Sequence, residues 1–281
     1  MRAASRRSWR RLLLAAPAAL GAAALSLRAQ ADPWIPAAGD GRVEPMVRFF
    51  DATQAFSPTA FGTATLPSSE ERYSMYRITG TQGLGGRLSI EYDLRAANFE
   101  KIRYKRGARV VQSASGLEDQ EIGLNLGLHQ RRDFADSIEL NVIAPTGAAS
   151  GSPQLGAGHA ALEPDYQIGI ARGRLFVTAM AGARVFVDGA AAQLRTDIDV
   201  GLHVTPRIEL AGTVFFVRTI VRHEPLPLTD AAERYDVLRP GVRIRYRVNR
   251  HFKPYLEYEK DVAGKGIHAG RRITLGFTVD Y

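Results

Sequence analysis

The sequence predicts an all-β chain, a transmembrane, antiparallel, up-and-down β-barrel of about twelve strands. Three observations carry this reading. Apolar and polar residues alternate with period two through most of the chain beyond residue 42, with no sustained 3.6-residue period. The connections between the alternating segments are short and long by turns. The alternation also runs to the last residue, where Tyr281, Val279, Phe277, Leu275 and Ile273 interleave with Asp280, Thr278, Gly276, Thr274 and Arg272. Termini ordinarily fray, so a pattern kept to the end marks a finished strand with one apolar face.

The chain begins with a different segment. Arg2, Arg6, Arg7, Arg10, Arg11 and Arg28 lie in the first 31 residues, which hold no acid. Without these six, the 37 Lys+Arg fall to 31 against 29 Asp+Glu, so a formal charge of +8 becomes +2. The basicity is therefore that of a leader and not of a nucleic-acid-binding face. A basic start, an apolar run from Leu12 to about Leu27 and the small-x-small triplet Ala29-Gln30-Ala31 predict a secretory signal peptide over 1–31. The mature barrel domain is then 32–281, starting at Asp32. No later stretch approaches 18 uninterrupted apolar residues, which excludes a helical membrane protein. The absence of cysteine argues against a small disulfide-stapled secreted fold.

Twelve segments alternate: 43–51, 70–79, 86–94, 117–128, 136–144, 162–170, 175–187, 193–204, 207–220, 235–248, 251–260 and 272–281. Most match the ~9–11 residues that a tilted strand needs to cross a bilayer. Short connections are expected at 80–85, 129–135, 171–174, 205–206 and 249–250, and long ones at 52–69, 95–116, 145–161, 221–234 and 261–271. Short turns at one rim and long loops at the other suit a barrel of the bacterial outer membrane, with turns and both termini periplasmic. The connection at 188–192 departs from the rhythm. A soluble sandwich gives no reason for such alternation.

Register is well determined. In the tenth segment Leu238, Val242, Ile244, Tyr246 and Val248 alternate with Arg239, Gly241, Arg243, Arg245 and Arg247. A slip by one residue turns the arginines toward lipid, at ~2–4 kcal/mol each near the midplane, or about 10 kcal/mol in all. The same logic places Glu91, Asp93, Glu121, Arg184, Arg195, Asp197, Asp199, Glu209, Glu257 and Glu259 on the lumen face, with Arg87 beside them. Two readings of the arginine series stay open: an anion-attracting strip, or a structural ladder paired with Glu257 and Glu259 on the adjacent strand.

A hairpin repeat, apolar-Gly-apolar-x-apolar, places Gly123, Gly169, Gly201, Gly241 and Gly276 on the inner wall in the periplasmic half. Missing side chains there either keep the lumen open or relieve crowding where the wall curves. No zinc-like cluster, phosphate loop or nucleotide fingerprint occurs, so no metal and no cofactor is expected. Among the six histidines none has a serine two residues away, so an outer-membrane lipid hydrolase is the third reading and a non-enzyme the first.

The C-terminal series Tyr281, Val279, Phe277, Leu275 and Ile273 resembles the signal by which the bacterial barrel assembly machinery recognises its clients. Trp34-x-Pro36-x-x-Gly39-x-Gly41, the run Gly116-Leu-Glu-Asp-Gln-Glu-Ile-Gly123 and Ala144-Pro145-Thr146-Gly147 resemble a group of proteobacterial outer-membrane barrels. The group includes XagA-like proteins of exopolysaccharide loci and relatives described as phenol meta-pathway outer-membrane proteins. The resemblance implies a small barrel that passes small or apolar molecules, and it implies no catalytic residues. Segment 95–116, with Lys101, Arg103, Lys105, Arg106 and Arg109, has no counterpart in it and is expected as a solvated basic loop or a contact for anionic lipopolysaccharide. The expected function is passage of small molecules through the lumen or by a lateral exit. The alternative is a non-conducting structural or surface-interaction barrel.

Overall fold

The computed structural model describes residues 33–64, 66–105, 108–150, 153–187, 191–220 and 235–281. The expected signal peptide lies outside the described residues. Alternation gives strands wherever the sequence shows it: β1 (Gly41–Ala55), β2 (Leu66–Gly85), β3 (Leu88–Lys105), β4 (Ala108–Leu117), β5 (Gln120–Gln130), β6 (Phe134–Ala144) and β7 (Ala161–Arg172). There follow β8 (Leu175–Phe186), β9 (Ala192–His203), β10 (Ile208–Thr219), β11 (Asp236–Tyr246), β12 (Phe252–Lys260), β13 (Ala263–Lys265) and β14 (His268–Asp280). All pairings are antiparallel. β4 and β5 both pair with β3, and β12 and β13 both pair with β11, so two staves are broken and the barrel has twelve.

The barrel closes between β1 and β14, where Val43 faces Val279 and Phe49 faces Ile273. Tyr281 N–H donates to Gly41 O and Gly41 N–H to Tyr281 O, both at 3.0 Å, which fixes the last residue against the first strand. A closed sheet has no edge on which a second chain can add.

The faces are those the alternation predicts. On β5, Ile122, Leu124 and Leu126 point out and are about half exposed, while Asn125 between them is 1% exposed and points in. On β14, Ile273, Leu275 and Phe277 point out. The buried residues include many charged side chains, so the protein is apolar outside and polar inside, the arrangement a barrel needs in lipid.

Two segments differ from expectation: 261–271, expected as a long connection, holds β13 and the start of β14, and 95–116 departs further. Residues 95–116 do not form a loop. They continue β3 to Lys105 and return as β4, a hairpin that rises past the barrel rim. The extension is held by its ladder and has no continuous apolar face, and most side chains of β4 are exposed. Nothing in its pattern therefore distinguishes it from a polar loop. Lys101, expected in that loop, is 7% exposed and paired with buried Glu71, whereas Arg103 and Arg109 are exposed. Arg87 sits in the β2–β3 turn with positive φ at Gly86 (61°) and Arg87 (76°), so it is exposed and off the lumen wall.

Candidate functional site

The lumen is built from inward positions of every stave. Arginines and carboxylates meet there, because charge removed from bulk water is tolerated only when matched. Arg239 Nε lies 2.8 Å from Asp261. Arg243 pairs with Asp199 across β10, and its other nitrogen is 3.6 Å from Glu257. Arg245 is 3.1 Å from Glu209 and 3.8 Å from Glu44. Arg247, the last of the series, is not without interactions of its own. Glu259 serves Arg48 of β1 at 3.4 Å. The arginine series of β11 is thus compensated, chiefly by residues distant in sequence and only in part by the adjacent β12.

Around the rest of the wall one carboxylate often serves two arginines. Asp93 takes Arg77 and Arg95, Glu163 takes Arg184 and Arg195, and Asp261 takes Arg239 and Arg272. The flat guanidinium faces lie against rings. Arg195 and Arg239 flank Phe215 at 5.4 and 5.0 Å, and Arg272 covers Phe50 at 4.4 Å.

The five glycines of the repeat lie inward, and each is roofed by a neighbouring side chain. A Cβ at Gly201 would strike the Phe176 ring, at Gly123 the Asn141 amide, and at Gly276 the Tyr255 hydroxyl. At Gly241 it would meet Thr213 Oγ1 at 2.6 Å and Glu259 Cγ at 2.9 Å. The space these glycines leave is occupied, mostly by rings and polar ends from adjacent staves.

Gly169 is roofed by the Trp34 ring, which belongs to the segment before β1. Residues 33–38 cross the turn-end mouth as a strap. Trp34 Nε1 donates to Arg131 O at 2.9 Å, Ile35 N–H donates to Gln130 Oε1 at 2.9 Å, and Gln130 Nε2 donates to Pro33 O at 2.6 Å. The carbonyls of Pro36 and Ala37 lie over Gly83, and Ile35 lies over Gly127. Glycine at these wall positions lets the strap lie flat on the sheet.

The loop end is covered from two sides. Residues 56–64 fold over to β13, with Gly62 and Gly264 exchanging both backbone hydrogen bonds, and Phe56 packs with Val217, Val237 and Ile267. Residues 145–150 and 153–160 fold inward, and Leu155 (5% exposed) packs on Ala97 and Phe99. Asp119 holds this loop: its Oδ1 accepts Gly147 N–H at 3.0 Å and its Oδ2 accepts Ala157 N–H at 2.8 Å. Thr146 Oγ1 donates to Glu118 O at 2.7 Å. Two of the short motifs singled out in the sequence, around Asp119 and Gly147, therefore form one joint. Beside it, burial pushes the Glu118 carboxyl above its ordinary range, and the Tyr73 hydroxyl donating to it pulls the other way.

Between strap and loop the lumen is not filled. A polar cavity of about 390 Å³ occupies the middle, and an outer one of about 260 Å³ lies under the 145–160 loop. Arg48, Tyr73, Met75, Arg95, Arg195 and Arg239 line both, so the two are contiguous. Sequence reasoning placed the lumen charges but missed the strap and the inward loop. The glycines carried the signal for the strap, since Gly83, Gly127 and Gly169 recur at the turn end of alternate staves, β2, β5 and β7.

His129 lies on the outer wall with Nδ1 2.9 Å from Asp136 Oδ1, while Tyr166 donates to Asp136 Oδ2 at 3.0 Å. Asp136 thus bridges the imidazole and the Tyr166 phenol at the turn-end rim.

No protein-family model matches the chain, and no curated protein matches it in sequence. Solved structures match its fold. The COG4313 outer membrane channel from Pseudomonas putida F1 superposes with a TM-score of 0.67 at 12% identity, covering 91% of this chain and 100% of that one. The NanC porin superposes with a TM-score of 0.54 at 8% identity, covering 84% of this chain and 98% of that one. At such identities the likeness is one of fold, that of a small outer-membrane-type barrel.

Proposed function

We propose that the chain is an outer-membrane channel for small solutes, narrow and closed at rest. The observation that carries this reading is the pair of contiguous polar cavities along the barrel axis. The larger, about 390 Å³, has the volume of a small-molecule site, at the low end of the ~300–1,000 Å³ range. A barrel with a purely structural role has no use for a void lined by ion pairs. The inward loop and the strap are the natural closures of such a path. The two fold neighbours described above are a channel and a porin, which supports the reading without naming a solute. Kinship with the XagA-like and phenol meta-pathway group rests on the motifs at Trp34, Asp119 and Gly147. These form the strap and the loop joint, the two closures of the lumen.

Export through a leader cleaved before Asp32, and recognition of the Tyr281 end by the barrel assembly machinery, belong to the same proposal. The β3–β4 hairpin favours a second role for the outer surface, contact of exposed Arg103 and Arg109 with anionic lipopolysaccharide. The test of the main reading is single-channel conductance of refolded 32–281 in a planar bilayer, alongside a form lacking 33–38. Discrete steps, larger without the strap, support a lumenal channel. Folded barrels silent in both forms overturn it.

A further inference from the structure

Charge is compensated unevenly around the lumen. Arg239, Arg243, Arg245 and Arg272 each have a carboxylate at ion-pair distance. Besides Glu118 at the loop joint, three carboxylates of the central cavity, Glu139 on β6, Asp165 on β7 and Asp197 on β9, have no arginine or lysine at that distance among the described residues. Arg195, across Gly182 from Asp165, is already engaged by Glu163, and Arg243 by Asp199.

Glu139 and Asp165 stand directly opposite each other in the β6–β7 register. Like charges at that position destabilise a sheet, so the pair breaks a local rule that stability alone would keep. The polar contacts here are neutral amides. Gln167 Nε2 donates to Glu139, and Asn141 Nδ2 donates to Asp165 Oδ2 at 3.1 Å. On β8, between Asp165 and Asp197, the inward positions are Met180 and Gly182, which bring no charge.

A second, independent observation concerns neutral acceptors in the same cavity. Gln167 is 6% exposed and its Oε1 has no hydrogen-bond partner. Asn125 Oδ1 (residue 1% exposed) and Thr213 Oγ1 (6%) are also without partners. All three residues line the cavity that the carboxylates line. Buried acceptors without donors are costly, and so are buried carboxylates without cations. One kind of guest answers both, a positive charge that carries several N–H donors. Among the described residues no three acidic or histidine side chains are arranged to hold a metal ion, which favours an ammonium group over a bare cation.

We propose that Glu139, Asp165 and Asp197 form a recognition wall for organic ammonium ions, and that the solute of this channel is a small cationic amine. This rests on the channel reading above. The test is the reversal potential of refolded 32–281 under a KCl gradient, with butane-1,4-diammonium as the probe. The expected result is a cation preference and a current blocked by the probe. In Glu139→Gln/Asp165→Asn/Asp197→Asn the permeability ratio should fall toward unity and the block should be lost. Asp197→Asn alone breaks no hydrogen bond of the described residues and gives a partial effect should the triple variant fail to fold. A conducting barrel with no cation preference overturns this proposal and leaves the channel standing. A folded, silent barrel overturns the channel. Calorimetric titration with butane-1,4-diammonium then decides the site: heat that is lost in Asp197→Asn sustains it, and no heat overturns it.

Discussion

Removing the Asp119 carboxylate should release the loop that covers the outer mouth. In the structure this side chain accepts two backbone N–H groups, Gly147 at 3.0 Å and Ala157 at 2.8 Å, and so pins both arms of the 145–160 loop. Hydrogen bonds to a charged acceptor contribute roughly 1.5–3 kcal/mol each. Water in the vestibule replaces part of that, leaving about 2–4 kcal/mol for the pair. If the loop moves between an inward and a lifted position, Asp119→Ala shifts that equilibrium on the order of 30- to 700-fold toward the lifted one. The shift is not complete, because Leu155 N–H still donates to Ala148 O at 2.9 Å and the Leu155 side chain keeps its contacts with Ala97 and Phe99. The assay is planar-bilayer recording of the parent, Asp119→Ala and Asp119→Asn. Conductance or open probability should rise in Ala and less in Asn, which keeps one acceptor oxygen. Identical traces from all three, with each barrel shown to be folded, would refute the reasoning and assign the loop's position to Leu155 and the backbone.

Other outcomes follow from the same geometry. Gly169→Leu should dislodge the Trp34 ring and move the tryptophan emission of 32–281 toward that of solvent-exposed indole, since Trp9 falls outside 32–281 and Trp34 is then the sole reporter; an unchanged spectrum counts against the strap. Leu140→Arg places a charge on the lipid face, where Leu140 is 50% exposed, and should cost about 2–4 kcal/mol in denaturant unfolding from lipid vesicles. Gly201→Leu should destabilise the barrel by displacing the Phe176 ring, so loss of folded protein on a heat-modifiability gel is expected ahead of any change in conductance. At the loop end, burial raises the Asp261 carboxyl but Arg272 and Arg239 outweigh it and hold its pKa below the usual range. Its stabilisation is present above the unfolded carboxylate pKa and is lost as pH falls through the folded value. The stability gap between parent and Asp261→Asn should therefore be full at neutral pH and close in acid; a pH-independent gap contradicts this sign.

The alternation itself was legible because lipid imposes it. Every outward position in the bilayer must be apolar and every backbone group must be paired within the sheet, so strands such as 175–187 and 193–204 appear in the sequence almost at their observed bounds, β8 (Leu175–Phe186) and β9 (Ala192–His203). The closure of the last strand on the first was legible too, from the pattern ending at Tyr281. The extended hairpin at 96–117 was not, because above the membrane neither face need be apolar and a solvated strand has no periodic signature.

The sequence by itself determined which residues face lipid and which face the lumen, because side chains alternate strictly along a strand and the cost of a slip is several charges in hydrocarbon. Only the tertiary structure decided what those lumen residues do to one another. Arg243 meets Asp199 from 44 positions away, and Asp119 meets Ala157 from 38. Glu139 and Asp165 are left opposite each other with amides and no cation as partners, because their places in the β6–β7 register coincide. Contact inside a barrel depends on the register of staves remote in the chain, and period-two patterning, which fixes a face and no more, carries no record of it.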